Sequence, residues 1–199
     1  MTASTKQKMV SGAADMISRR GVRATTLRDV VQRTGTPRGS LSHHFPGGKQ
    51  QMVEEAIRYA SDSVAGPLAA LMDEHGAIAG LRAFVLWWQR VLEHSDFDAG
   101  CPILAVAIDS EVDVEAQSNP TSAGLRELAH LAFVRWQGIL ADALRKEGVA
   151  SARARRLATL TVAAIEGTVA LCRAERSARP LQEVQQELEA VLEAALQKP

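Results

Sequence analysis

The sequence predicts an all-α protein, with three short N-terminal helices ahead of a larger helical body. Three observations lead there. Apolar residues recur at helical spacing, and no sustained alternation rich in Val, Ile and Thr competes with them. Ser and Thr stand at cap positions before the first apolar runs. Glycine or proline closes those runs.

The first helix is expected from Ser4, with Gln7 three residues on as a capping box. Val10, Ala13, Ala14 and Ile17 form its apolar stripe, and Gly21 ends it. Thr26 caps the second helix, and Asp29 completes its box near the positive end of the helix dipole. Leu27, Val30 and Val31 make the buried face, and Gly35 stops the helix. Thr36 is expected to cap the third helix, with Pro37 in its first turn. Leu41 and Phe45 lie four apart and dock inward; Pro46-Gly47-Gly48 forces a break. Two short helices joined by a tight Gly-containing turn, after a supporting helix, make a helix-turn-helix.

The body follows. One helix is expected from Lys49 to Ser63, interrupted at Gly66-Pro67. "AIAGLRAFVLWWQRVLEH" puts Leu81, Phe84, Val85, Trp88 and Leu92 on one face. "CPILAVAIDSEV" is apolar nearly all round, as a buried helix is. "SNPTSAG" marks a loop, and a helix is expected from Thr121 to Lys146. Beyond Gly148 comes "SARARRLATLTVAAIEGTVALCRAE", and Pro180 opens the last helix. There Leu181, Val184, Leu188, Val191 and Ala195 form a two-position heptad seam. With Leu157, Thr161, Ala164 and Leu171 of the preceding helix, this seam is the expected homodimer interface, a four-helix bundle across a two-fold axis. The expected division is 1–48 for the helix-turn-helix and 49–199 for the larger helical body that carries this seam.

Composition bounds the function. At 199 residues, 46% of them hydrophobic, the chain fits one domain or a small module plus a larger one. No apolar run approaches 18 residues, so no membrane span is expected. "MTASTKQKMV" lacks a signal peptide's apolar stretch, and two cysteines make no disulfide framework. A soluble cytoplasmic protein is expected. The net charge of zero hides an asymmetry. Residues 1–49 hold nine basic and two acidic groups, a net of +7; the other 150 hold 14 basic and 21 acidic, a net of −7. A basic head suits a polyanion, although an ordinary solvated face has the same composition. The third helix offers Arg38, Gly39, Ser40, Ser42 and His43, small or hydrogen-bonding side chains that suit close approach in a major groove. A merely solvated helix more often carries Glu and Lys.

At "TTLRDVVQRTGTPRGSLSHHFPGGK" the sequence resembles the DNA-binding signature of TetR-family transcriptional regulators. The matching features are the Thr25-Thr26 pair, Gly35, Arg38-Gly39, Leu41, His44-Phe45 and Lys49. The form "PRGSLSHHFPGGK", with "GCPI" later, is similar to the branch containing the LmrA and YxaF regulators. The signature is specific and covers about the first quarter of the chain; "GCPI" is short, and the body fits by helix count and order. The resemblance implies a homodimer that binds a pseudo-palindromic double-stranded operator and is released by a small molecule. One position departs: the family usually has a phosphate-contacting tyrosine where this chain has Ser42, which has a shorter reach.

Each candidate carries a plainer reading beside it. Thr25 and Thr26 cap a helix or contact phosphate at its N-terminus. Lys49 is a surface lysine or a backbone contact. Arg38 reads a base edge, with Thr36, Pro37, Ser40 and His43 as neighbours; His44 packs or meets phosphate. His43 and His44 point about 100° apart on a helix and do not chelate one ion, so no metal or other cofactor is expected. In the body, Leu68, Leu71, Phe84, Trp87, Trp88, Leu104, Ile108, Phe133 and Trp136 are core or the wall of a pocket for a small apolar or aromatic effector. Glu166, Thr168 and Asp109 are its candidate polar groups.

Three functions compete. The first is a ligand-responsive repressor. The second is a DNA-binding regulator with no effector, which a solid core would favour. The third is a helical enzyme using Cys101 and Asp109, but the chain has no Gly-rich phosphate loop, nucleophile elbow or usefully spaced metal-ligand pair.

Overall fold

The computed structural model describes residues 3–109 and 124–197, all helices and connections among these residues. The loop expected at 118–124 and the helix start expected at Thr121 fall almost wholly outside them. Eight helices are described: α1 Thr5–Arg20, α2 Leu27–Thr34, α3 Ser40–His44, α4 Gly48–His94, α5 Pro102–Ile108, α6 Leu125–Lys146, α7 Ser151–Glu175 and α8 Arg179–Leu196. They fall into two compact units. One comprises Met1–Asp62 and Cys101–Ala132, the other Ser63–Gly100 and Phe133–Pro199.

In the first unit, local chemistry sets the helix ends. Ser4 accepts from Gln7 N at 3.2 Å while Gln7 Oε1 accepts from Ser4 N at 3.0 Å, the reciprocal box at the start of α1. Thr26 and Asp29 repeat it at α2, with Asp29 N donating to Thr26 Oγ1 at 3.2 Å. Gly35 closes α2 in the left-handed conformation at φ 62°. Met9, Ala13 and Ile17 of α1 are fully buried, as is Val30 of α2. α1 packs against α2 and α5. Gly12 permits the close approach of α2: a Cβ there would stand 2.3 Å from Thr34 Cγ2.

The third helix departs from expectation. Thr36 does not cap it. Its hydroxyl lies 2.9 Å from that of Thr34 and is turned inward. The chain instead enters α3 through a tight turn, with Ser40 N donating to Pro37 O at 3.0 Å and Leu41 N to Arg38 O at 3.3 Å. Phe45, 2% exposed, anchors the far end, and its burial contributes roughly 2 kcal/mol.

The break in the fourth helix also moves. Gly66-Pro67 does not interrupt it; the non-helical residue is Gly76, at φ 77° and ψ −178°. Proline removes one backbone donor, which a long helix tolerates, whereas that φ is open mainly to glycine. Ala77 N, where the helix resumes after the break, donates to Glu147 Oε1 at 2.5 Å. Lys146 and Asp73 pair alongside at 2.7 Å.

In the second unit α7 and α8 pack together. Leu181, Leu188 and Leu192 of α8 are buried, as are Leu157, Ala158, Ile165 and Val169 of α7. An 18-residue window of α7 reaches a mean hydropathy of 1.4, long and apolar enough by composition to cross a membrane, contrary to the reading of the sequence by runs alone. Half of that window is buried inside the chain, which is what a core helix gives.

Candidate functional site

The nucleic-acid candidate is built on the turn between α2 and α3 and on α3 itself. Buried Val30, Val31 and Phe45 hold the two helices from beneath. Pro37, Arg38, Gly39, Ser42 and His43 are exposed above them, and Ser40 is half-exposed. Their exposure leaves the face open to a groove, with small Gly39 and Ser42 beside the hydrogen-bonding Arg38 and His43. The His43 and His44 rings stand edge to face, centroids 4.9 Å apart. His44 is half-buried, and its carbonyl accepts from Gln51 Nε2 at 3.3 Å; Gln51 Oε1 in turn accepts from Gly47 N at 2.9 Å. Gln51 therefore ties the end of α3 to the start of α4, a role the sequence did not suggest. Lys49, half-buried, donates to Arg23 O at 3.5 Å and so sits beside the loop leading to Thr26.

The two threonines separate. Thr26 is exposed at the N-terminus of α2, where unpaired N–H groups and the helix dipole suit phosphate. Thr25 is fully buried and its hydroxyl donates to Gly21 O at 2.8 Å. Thr25 and Thr36 thus hold the head together from inside, and their hydroxyls are not presented to a ligand.

Charge is partly spent within the head. Asp15 pairs with Arg19 at 2.9 Å and Arg33 at 2.8 Å, Asp29 with Arg20 at 2.9 Å, and Lys6 with Glu55 at 2.8 Å. The hydrogen bond from Thr26, helped by the nearby Arg20, holds the Asp29 carboxyl below its ordinary range against the opposing effect of desolvation. Exposed Arg28 on the first turn of α2 and exposed Arg38 before α3 flank the candidate face, with Lys49 beyond. Arg28 was not singled out from sequence, although its place two residues after the Thr26 cap is a signal.

The second unit contains a pocket. α4 supplies Val64, Leu68, Phe84 and Trp88; α6 supplies Trp136 and Leu140; α7 supplies Val162, Ile165 and Glu166. The centre of a water molecule can range over about 20 Å³ of it, and the space between its walls, open solvent at the mouth included, is about 290 Å³. Five expected residues meet there: Leu68, Phe84, Trp88, Trp136 and Glu166. Leu71, Trp87, Leu104, Ile108 and Phe133 are not among its walls. Trp87 is half-buried and stacks on Phe84 with centroids 5.5 Å apart, while Phe133 packs edge-on to Trp136 at the same distance. Both support the wall from behind. Ile108 is 73% exposed, and Leu104 is half-exposed on the same short helix. Val64, Leu140, Val162 and Ile165 were missed because single aliphatic residues give no signal beyond core. Glu166 is buried. Thr168 is buried too, but its hydroxyl donates to Ala164 O at 2.6 Å.

Cys101 and Asp109 stand at opposite ends of α5, eight residues and therefore about 12 Å apart along the helix. Cys101 is buried and its sulfur accepts from Leu104 N at 3.5 Å. The two do not form one reactive centre.

The dimer candidates divide as well. Leu157, Thr161, Leu181 and Leu188 are buried within the chain, so they belong to its own core. Ala164, Val184, Val191 and Ala195 are half-buried, and Leu171 is 52% exposed. α7 presents a different outward stripe: Leu160, Ala163, Gly167, Ala170, Leu171 and Ala174, at helical spacing.

Comparison with known proteins agrees with this geometry. Residues 10–56 match the family model for bacterial regulatory proteins of the tetR family, and residues 77–187 match that for the C-terminal domain of LmrA/YxaF-like transcriptional regulators. An uncharacterized HTH-type transcriptional regulator of Mycobacterium tuberculosis is 36% identical over 96% of this chain and 95% of its own. The HTH-type transcriptional regulator LmrA of Bacillus subtilis is 28% identical over 89% of this chain and 90% of its own. A crystal structure of a TetR transcriptional regulator from Legionella pneumophila, 20% identical, superposes with a TM-score of 0.80 over 96% of this chain and 98% of that one, and shows the same fold. With one family model spanning more than half its length and a relative similar along nearly all of it, the chain belongs to the TetR family of bacterial transcriptional regulators, in the LmrA/YxaF-like branch.

Proposed function

We propose that this regulator is a cytoplasmic homodimeric repressor that binds a pseudo-palindromic operator through α3 and leaves it when a small apolar or aromatic effector enters the pocket of the second unit. The observation that carries the DNA reading is the exposed α3 face of Arg38, Ser42 and His43 over a buried Phe45 anchor. Arg38 is assigned to a base edge, and Thr26, His44 and Lys49 to the backbone. Residues 1–48 are assigned to DNA and 49–199 to effector and partner; no enzymatic role and no membrane partner is assigned.

The apolar stripe of α7 supports dimerisation. An exposed face of Leu160, Leu171 and small residues on a helix of this hydropathy is better covered than solvated. Val184, Val191 and Ala195 of α8 are half-buried and are assigned to the same interface. Two copies of α7 and α8 then form a four-helix bundle about a two-fold axis.

The pocket supports the effector. Apart from Glu166 its walls are apolar and aromatic, and little of its space admits a water-sized body, so an aromatic effector is expected to widen it. Lys49 and the wall residues Val64 and Leu68 belong to the same helix, α4, so widening acts on the helix that begins at the DNA contact. Linkage requires the effector to favour the DNA-free form by the factor that it weakens DNA binding, typically about 5–150-fold.

The test is fluorescence anisotropy of a duplex enriched from a random pool, titrated with a panel of small aromatic compounds. Release of the duplex by a compound whose own affinity falls when the duplex is present supports the reading. A compound that binds the pocket equally well with and without the duplex contradicts it, and the effector-free alternative then stands.

A further inference from the structure

The pocket contains one acidic side chain. Glu166 of α7 lines it with Val162 and Ile165 of the same helix, and is 7% exposed. Every other wall residue is aliphatic or aromatic. A leucine at this position would pack on the same neighbours without the cost of removing a carboxylate from water, a cost of several kcal/mol for a buried ion. A buried carboxylate is therefore a poor choice for stability and a selective one for recognition. Its neighbours in the wall reinforce that selectivity. Trp88 and Trp136, 4% and 3% exposed, line the pocket with indole rings, and Phe84 adds a third ring. Aromatic faces attract a cation through the ring quadrupole, more strongly when water is excluded.

We propose that the pocket takes a flat, largely apolar compound carrying one protonated nitrogen, with the ammonium paired to Glu166 and the apolar part against Trp88, Trp136 and Phe84. The inference rests on the effector reading above and narrows it to a chemical class. Neutral compounds of the same shape gain the aromatic contacts but leave the carboxylate unsatisfied by the ligand. Anionic ones add repulsion in a setting of low dielectric. The pocket therefore discriminates by charge as well as by shape.

Three probes of one shape test this: naphthalen-2-ylmethanamine, naphthalen-2-ylmethanol and 2-naphthoic acid, each titrated by calorimetry into the intact protein. The ammonium is expected to bind at least about 10-fold more tightly than the alcohol, the scale of a hydrogen bond to a charged group, and the acid most weakly. Glu166→Gln is expected to bring the amine and alcohol within about 2-fold of each other while the alcohol's affinity holds. Glu166→Leu, which keeps apolar packing, is expected to do the same, with circular dichroism confirming the fold of both. Equal binding of amine and alcohol to the unmodified protein overturns the charge proposal and leaves the apolar effector reading intact. So does a preference that survives in Glu166→Gln. A pocket that takes none of the three overturns both.

Discussion

Arg38 and Lys49 lie on the same candidate face and are predicted to fail differently. Arg38→Ala is expected to cost about 1–3 kcal/mol in binding the preferred duplex. Lys49→Ala is expected to weaken all duplexes alike and to reduce the slope of log K against log salt by about 1. Anisotropy titrations at three salt concentrations separate the two. Ser42 is exposed, so Ser42→Tyr is accommodated and is expected to tighten binding without changing the preferred site; weaker binding in the same assay refutes this. Thr26→Ala removes the cap of α2 and is expected to destabilise the chain by about 1 kcal/mol in a urea melt. Neighbouring residues of one type were not separable in the sequence. Thr25 and Thr26 look alike there, yet only Thr26 is exposed. Thr36 reads as a cap because a threonine before a proline suits one, but its hydroxyl found Thr34 across the turn instead. Caps depend on residues three apart and were legible; burial depends on the whole fold and was not.

The α7 and α8 helices show the same division at the next scale. Their existence, order and last Pro-led start follow from spacing and punctuation. Which apolar stripe faces inward does not, because α7 is apolar on both sides. Leu181 and Leu188 were assigned to a partner and serve their own chain, while the outward stripe of α7 passes through Leu160 and Leu171. Leu160→Glu with Leu171→Glu is accordingly expected to give a folded monomer by light scattering. An unchanged dimer mass places the interface elsewhere. Long-range pairs were equally hidden. Arg82 and Glu189 stand 107 residues apart and meet at 2.5 Å. The Arg82 hydrogen bond holds the Glu189 carboxyl below its ordinary range. A depressed carboxyl contributes stability above the unfolded value, and that contribution is lost as pH falls through the folded one. Arg82→Ala is therefore expected to flatten the acid limb of a stability-versus-pH curve and to leave the neutral-to-alkaline shape unchanged. The break at Gly76 belongs here too. The sequence offers a proline nine residues earlier as the obvious breaker, but the cap from Glu147 that settles the kink comes from seventy residues away.

For the molecule as a whole, the charge asymmetry and the proposed two-fold dimer lead to one consequence. A net of +7 in residues 1–49 against −7 in the rest favours the N-terminal part, and not the remainder, for a polyanion. Two copies of α3 related by a two-fold axis demand two half-sites in inverted order, about one helical turn or a multiple of it apart. The family and its DNA-binding quarter were legible because the chain must present fixed residue types to a fixed polymer. The pocket was legible only in part, because its walls obey the same apolar rule as any core. The most direct measurement is selection of bound sequences from a pool of random duplexes, run in parallel with the unmodified protein and with Arg38→Ala. The unmodified protein is expected to enrich a pseudo-palindrome, and the variant to enrich the same site with preference relaxed at one position in each half. A pool that stays unenriched, or an Arg38→Ala variant that selects the identical site at every position, would contradict this expectation.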